Sequence, residues 1–252
     1  HLEPESPYTR LGVHRSDLLN SSFRTFSSLT MSDLLTRPLR IHYLDEDGID
    51  EGGLVKDWFL ELSRRLVDPN LGLLVQLEGQ DVFGLDPRAH HVHSPELLKN
   101  YYRFIGRFLG KAVFDRQVVD LRLERTMLLQ MLGQPVTLPD LIQLDPHRLR
   151  GLNWILSQES LGGEDGPLGG TTFTLDMEVF GGDTVSEELV EGGKDILLTD
   201  DNRGEYVDAV VRFMATARVV TGIEEISRGF RDLVPAEVLE DLEVEDLLQL
   251  FI

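Results

Sequence analysis

The chain has 252 residues, 24 Lys plus Arg against 44 Asp plus Glu, and no cysteine. Its length and 41% apolar content can bury one substantial core with a smaller satellite. A formal charge of −20 repels phosphate backbones and favours basic partners, and the missing cysteine excludes disulfides, thiolate metal sites and a thiol nucleophile within these residues.

No run approaches the roughly 18 apolar residues of a membrane span, and residues 1–10 lack the basic-then-apolar order of a signal peptide. The expectation is a soluble cytoplasmic or nuclear domain, with no nucleic-acid partner and no membrane insertion. Residues 1–12 are polar and Pro-bearing and read as a flexible lead-in. From Val13, apolar residues Leu18, Leu19, Phe23, Phe26, Leu29, Leu34 and Leu35 suggest short helices that Pro38 stops. Leu39, Ile41 and Tyr43 alternate with Arg40, His42 and Leu44, which predicts a strand. A turn at Asp45–Gly48 and Gly52-Gly53 then precede a helix with Leu54, Trp58, Leu62 and Leu66 on one stripe, closed by Pro69.

Ser94-Pro95-Glu96 is a helix start: Ser caps, Pro fits the first position, and Glu suits the positive end. The helix continues to Phe114 with apolar residues around most of its circumference, which predicts a central buried element. Gly106 and Gly110, four apart, allow a neighbour to come close. A further helix, Leu121 to Leu132, ends at Gly133, and another carries Leu149, Leu152, Trp154, Ile155 and Leu156.

The segment 161–170, LGGEDGPLGG, is the clearest break in the chain. A strand-like stretch over 171–179 follows, then a helix starting near Asp200-Asp201-Asn202 and reaching about Ala217, then helices over 223–230 and 234–251. Residues 159–208 hold 14 acidic and two basic residues, a balance of −12. That concentration suggests a projecting docking module. In the helix over 203–217, Tyr206, Val210, Phe213 and Ala217 fall on one face and Val207, Val211 and Met214 on another. One stripe serves an internal core, and a spare one would be a docking face anchored by aromatic residues.

Other constellations carry less. Asp45–Asp50 resembles a calcium loop, but its glycine falls at the fourth position rather than the sixth. His90, His91 and His93 have no second ligand cluster beside them in sequence. No nucleophile elbow or phosphate-binding glycine fingerprint is present, and no metal or cofactor is expected.

Seven ordered blocks identify a family. They are Leu39-x-Ile41-x-Tyr43 with Asp47–Gly53 and Asp57-Trp58-Phe59-x-x-Leu62-Ser63; Asp68-Pro69 with Gly72-Leu73; Tyr102-x-Phe104-Ile105-Gly106-Arg107-x-x-Gly110-Lys111-Ala112; Leu152-x-Trp154-Ile155-Leu156; Gly192-Gly193; Thr199-x-x-Asn202-x-x-Glu205-Tyr206-Val207; and Gly229-Phe230-x-x-Leu233-x-Pro235. Together they resemble the N-terminal lobe of a HECT-type ubiquitin ligase from Val13 to Ile252. The resemblance implies an α+β, mostly α-helical fold with a large helical subdomain over 13–158, a small acidic α/β subdomain over 159–222 that docks the ubiquitin-conjugating enzyme, and return helices over 223–252 leading to a hinge.

It also implies an acyl transfer: a cysteine in a C-terminal lobe, outside these residues, takes ubiquitin from the conjugating enzyme and passes it to a substrate lysine. The substrate would be held by regions outside this chain. Residues matching the docking groove are Leu152, Ile155, Tyr206 and Val210, with Phe213 added from its helical spacing and Glu164 and Asp165 as acidic contacts. Leu71 and Phe180 match an exosite for a second, non-covalent ubiquitin. The alternative reading is a non-catalytic adaptor that binds conjugating enzymes without transferring ubiquitin.

Overall fold

The computed structural model describes residues 7–46, 53–178, 184–216 and 220–252. They form two compact units, one from residues 1–134 and 219–252 and one from Pro135–Arg218.

In the first unit, β1 (Thr9–Val13) pairs in parallel with β2 (Leu39–Tyr43), register Leu11 to Ile41, across the crossover formed by α1 (Leu18–Ser28) and α2 (Met31–Thr36). Residues 9–12 therefore do not belong to a loose lead-in. Leu11 and Val13 are buried and the β1 backbone is spent on the ladder. α3 (Gly53–Leu66) and a β-hairpin of β3 (Leu74–Gln76) and β4 (Phe83–Leu85) follow, then α4 (Ala89–Val92), α5 (Pro95–Phe114) and α6 (Arg125–Leu132). Ser94 caps α5 as its sequence predicts, its hydroxyl accepting from the Leu97 amide, and α6 ends on Gly133 at φ 76°.

The core of this unit is aromatic. Trp58 of α3 meets Phe59 and Phe108 edge-on and lies beside Phe26, while its indole N–H donates to Ser22 Oγ at 2.9 Å. α5 packs along α9 (Val220–Leu233), and the two glycines of α5 are what allow it. A Cβ on Gly106 would lie 2.0 Å from the Ile226 carbonyl oxygen, and one on Gly110 would lie 2.8 Å from that of Phe230. Arg103 and Arg107 of α5 bind Asp232 of α9 and fix the register of the pair.

Lys111 of α5 is fully buried. Its ammonium donates to the carbonyls of Leu34 and Arg37 at the end of α2, at 2.7 and 3.0 Å, and pairs with Asp115 at 3.0 Å.

The second unit begins with a 3₁₀ turn (Leu138–Ile142) and α7 (Pro146–Ser157), continues through a 3₁₀ turn (Gly163–Asp165) to the antiparallel hairpin of β5 (Thr174–Glu178) and β6 (Thr184–Glu188), and closes with α8 (Arg203–Thr216). Its core gathers Leu141, Leu152, Ile155, Leu161, Phe173, Leu175, Tyr206, Val207, Val210 and Val211. The boundaries at 134/135 and 218/219 thus differ from those expected at 158/159 and 222/223, because Leu152 and Ile155 of α7 share one core with α8.

Burial on α8 corrects a second expectation. Tyr206 and Val210 on one stripe and Val207 and Val211 on the other are all buried, and Phe213 and Met214 pack against the same core. No stripe is spare. The chain returns to the first unit as α9, α10 (Ala236–Asp241) and α11 (Val244–Leu250). The last two, expected as one helix, are separated at Leu242–Glu243, where Glu243 and Asp246 form a capping box that starts a new helix.

Candidate functional site: an apolar groove on the second unit

α7 starts at Pro146. The Asp145 side chain caps it by accepting from the Arg148 amide at 2.8 Å. Leu149, Leu152 and Ile155 recur at intervals of three and point into the core, whereas Trp154 and Leu156 stay exposed, each at 42%. The exposed apolar surface here therefore belongs to α7, not to α8.

Beside Trp154 lies an open cavity of about 310 Å³. Its buried base is made by Leu152, Ile155, Leu175, Tyr206 and Val210, with Leu168 and Trp154 at its sides. Tyr206 is held by Phe173, ring centroids 5.3 Å apart at 82°, an edge-to-face contact. Burial pushes the Tyr206 phenol above its ordinary pKa against the opposing pull of Arg148, so it stays neutral at physiological pH. Asp145, His147, Arg148 and Gly151 complete the lining. Asp145 accepts from the Arg148 amide and from its Nε at 3.2 Å; burial raises its pKa, but these bonds outweigh burial and hold the carboxyl below the usual range.

The loop that leads away from α7 is tied to the start of α8. Asp200 accepts from the Leu161 amide and the Ser160 hydroxyl, both at 2.7 Å, and the Arg203 guanidinium donates to the Gln158 carbonyl. These bonds keep the Asp200 carboxyl below its ordinary pKa. They place Leu161 in the core, just ahead of the turn that carries Asp165.

Of the residues expected in the groove, Leu152, Ile155, Tyr206 and Val210 come together in one cavity. Phe213 does not line it; it packs half-buried against the core of the unit. Asp165 is exposed on the 163–165 turn, outside the lining, and the Glu164 side chain lies outside what is described. Phe180 is outside the described residues. Leu71 is half-buried in the first unit, in the turn after α3, where its carbonyl meets His93 Nε2 at 2.6 Å. The lining residues missed by sequence reasoning are the polar end, His147 and Arg148, together with Asp145, Gly151, Trp154, Leu168 and Leu175. The Asp-Pro-x-x order of a capped helix start at Asp145 was the available signal for the first two.

Among the described residues no helix is long and apolar enough to cross a membrane, and no group of three or more His, Asp or Glu side chains is arranged to hold a metal ion.

Comparison with known proteins gives the context for this groove. Residues 60–252 match the model of the HECT domain (ubiquitin-transferase). The chain is 31% identical to the E3 ubiquitin-protein ligase Smurf1 of Drosophila melanogaster over 250 residues, which is 98% of this chain and 22% of that protein. It is 33% identical over 235 residues to the E3 ubiquitin-protein ligase RSP5 of Chaetomium thermophilum, covering 93% of this chain and 28% of that protein. The E3 ubiquitin-protein ligase Nedd-4 of Drosophila melanogaster is 30% identical over 235 residues, 93% of this chain and 22% of that protein. The chain therefore spans about a quarter of the length of these relatives. With a matching family model over most of its residues, this chain belongs to the HECT-domain family of ubiquitin transferases.

Proposed function

We propose that these residues form the lobe of a HECT ubiquitin ligase that recruits a ubiquitin-charged conjugating enzyme. The observation that carries the reading is the groove: Leu152, Ile155, Tyr206 and Val210 come from two helices 50 residues apart in sequence, yet line one open apolar cavity.

An aromatic side chain of the partner would enter this groove beside Trp154. Burying a ring and the facing Trp surface removes about 150–250 Å² of apolar area, roughly 4–6 kcal/mol before the costs of association. Those costs are of similar size, so this contact alone leaves little net affinity, and the rest of the interface has to supply it. The −12 balance over residues 159–208 acts on a different quantity. It draws a basic enzyme surface toward the unit and raises the encounter rate, an effect that salt screens.

The chemistry lies elsewhere. With no cysteine among the 252 residues, they cannot themselves hold ubiquitin as a cysteine thioester. Their part is positional: they raise the effective concentration of the charged enzyme near an acceptor thiol supplied by another lobe.

The test is affinity, measured by interferometry against a panel of ubiquitin-conjugating enzymes, for the wild-type chain and for Trp154→Ala. Trp154 is exposed and stands outside the core cluster of the unit, so the variant should fold normally and bind at least tenfold more weakly. Unchanged affinity in a folded Trp154→Ala would remove the groove from the interface.

A further inference from the structure

The groove is apolar at its base and carries an ion pair at one end. Arg148 and His147 both line it, and the one acid there, Asp145, is already engaged by the Arg148 amide and Nε. Among the described residues, the hydrogen bonds of the Arg148 guanidinium leave from Nε alone. Among the described residues, its terminal Nη1 and Nη2 donors thus have no acceptor, and the side chain, about one-third exposed, lines the groove. This happens beside the most acidic stretch of the molecule, where 14 acids and two bases fall within residues 159–208. A general attraction for basic surfaces and an arginine with open donors at the groove itself select for different features of a partner.

We propose that the groove admits a segment of the conjugating enzyme in which the apolar anchor is flanked by a carboxylate, and that Arg148 is the residue that selects for it. The inference rests on the reading of the groove given above and adds the chemistry of the occupant. A guanidinium with both terminal nitrogens open matches a carboxylate by two parallel N–H···O bonds, a fit a lysine cannot reproduce. The Nε bond to Asp145 already restrains the side chain, so less rotamer freedom is lost on binding. A segment carrying Lys or Arg at that position would instead place like charge against Arg148 and be rejected, even though the acidic surroundings attract it.

The experiment uses the full 252-residue chain and a conjugating enzyme that binds it. Arg148→Gln, Arg148→Lys and Arg148→Glu are compared with the wild type, and each Asp or Glu next to the enzyme's seated segment is changed in turn to Asn or Gln. The capping bond to Asp145 comes from the Arg148 backbone amide and survives all three changes. Arg148→Gln should weaken binding about twofold to fivefold, Arg148→Glu should weaken it further, and Arg148→Lys should recover only part of the loss. One enzyme carboxylate should matter to the wild type and not to Arg148→Gln. If Arg148→Gln binds as the wild type does while Trp154→Ala still loses binding, the groove reading stands and the carboxylate is wrong. If neither variant changes the affinity and both remain folded, the groove reading falls and this inference with it.

Discussion

The Phe173 and Tyr206 rings meet edge to face, their centroids 5.3 Å apart, and this contact joins the groove to the core of the second unit. Tyr206 is therefore both a groove residue and a structural one. Tyr206→Ala should cost about 3–5 kcal/mol of stability, so a loss of partner binding in that variant would not isolate the groove. Tyr206→Phe keeps the ring contact; its melting temperature should stay within a few degrees of the wild type. A large drop for Tyr206→Phe in thermal denaturation would show that the hydroxyl, not the ring, holds the unit.

Gly151 offers a cleaner probe of the groove. It lies within α7 and lines the cavity, and a Cβ built there meets nothing within 4 Å. Gly151→Ala should stabilise the helix by up to about 1 kcal/mol. Gly151→Leu should fold equally well and weaken binding of a conjugating enzyme by partly filling the groove. Tight binding by a folded Gly151→Leu would mean that the partner sits elsewhere.

The approach of α9 to α5 makes a prediction for the first unit. Gly106→Ala would set a Cβ 2.0 Å from the Ile226 carbonyl oxygen, a backbone atom that cannot swing away. Overpacking of this kind costs about 1–3 kcal/mol or more, and denaturant melts should shift accordingly. Gly204→Ala, whose Cβ meets nothing, is the matched control and should shift little.

Acid should loosen the clamp between Ser160–Leu161 and α8. The Leu161 amide and Ser160 hydroxyl favour the charged Asp200, so its pKa is lower in the fold than in the unfolded chain. The stabilisation is fully present above the unfolded value near pH 4 and is lost as pH falls through the depressed folded value. Asp200→Asn should be less stable than the wild type at pH 7 and lose less on acidification. Hydrogen exchange at the Leu161 amide, followed between pH 7 and pH 3, checks this; parallel pH profiles for the two proteins would contradict it.

Much of this was legible from the residues themselves. Ser94-Pro95, Gly133 and the Gly106–Gly110 pair each announce one local requirement: a cap, a left-handed stop, a close approach. The groove residues were legible only through the family pattern, since Leu152 and Tyr206 meet by tertiary packing that no local period encodes. β1 was missed because its partner β2 lies 30 residues on and its buried face holds two apolar residues, Leu11 and Val13, beside the polar Thr9. β6 was missed because it is exposed on both faces and has no alternation to detect. The spare stripe of α8 was misread for a related reason. Periodicity counts apolar faces but not the elements around them, and α8 is covered by α7, the 138–142 turn and the residues near β5.

The most direct test of the central claim is an amide-resolved NMR titration of the ¹⁵N-labelled chain with a ubiquitin-conjugating enzyme. The largest perturbations should cluster at Gly151, Leu152, Trp154, Ile155, Tyr206 and Val210, with residues of α3 and α5 in the first unit unchanged. Saturable binding whose perturbations fall on the first unit, or no perturbation with any enzyme of the panel, would contradict the account.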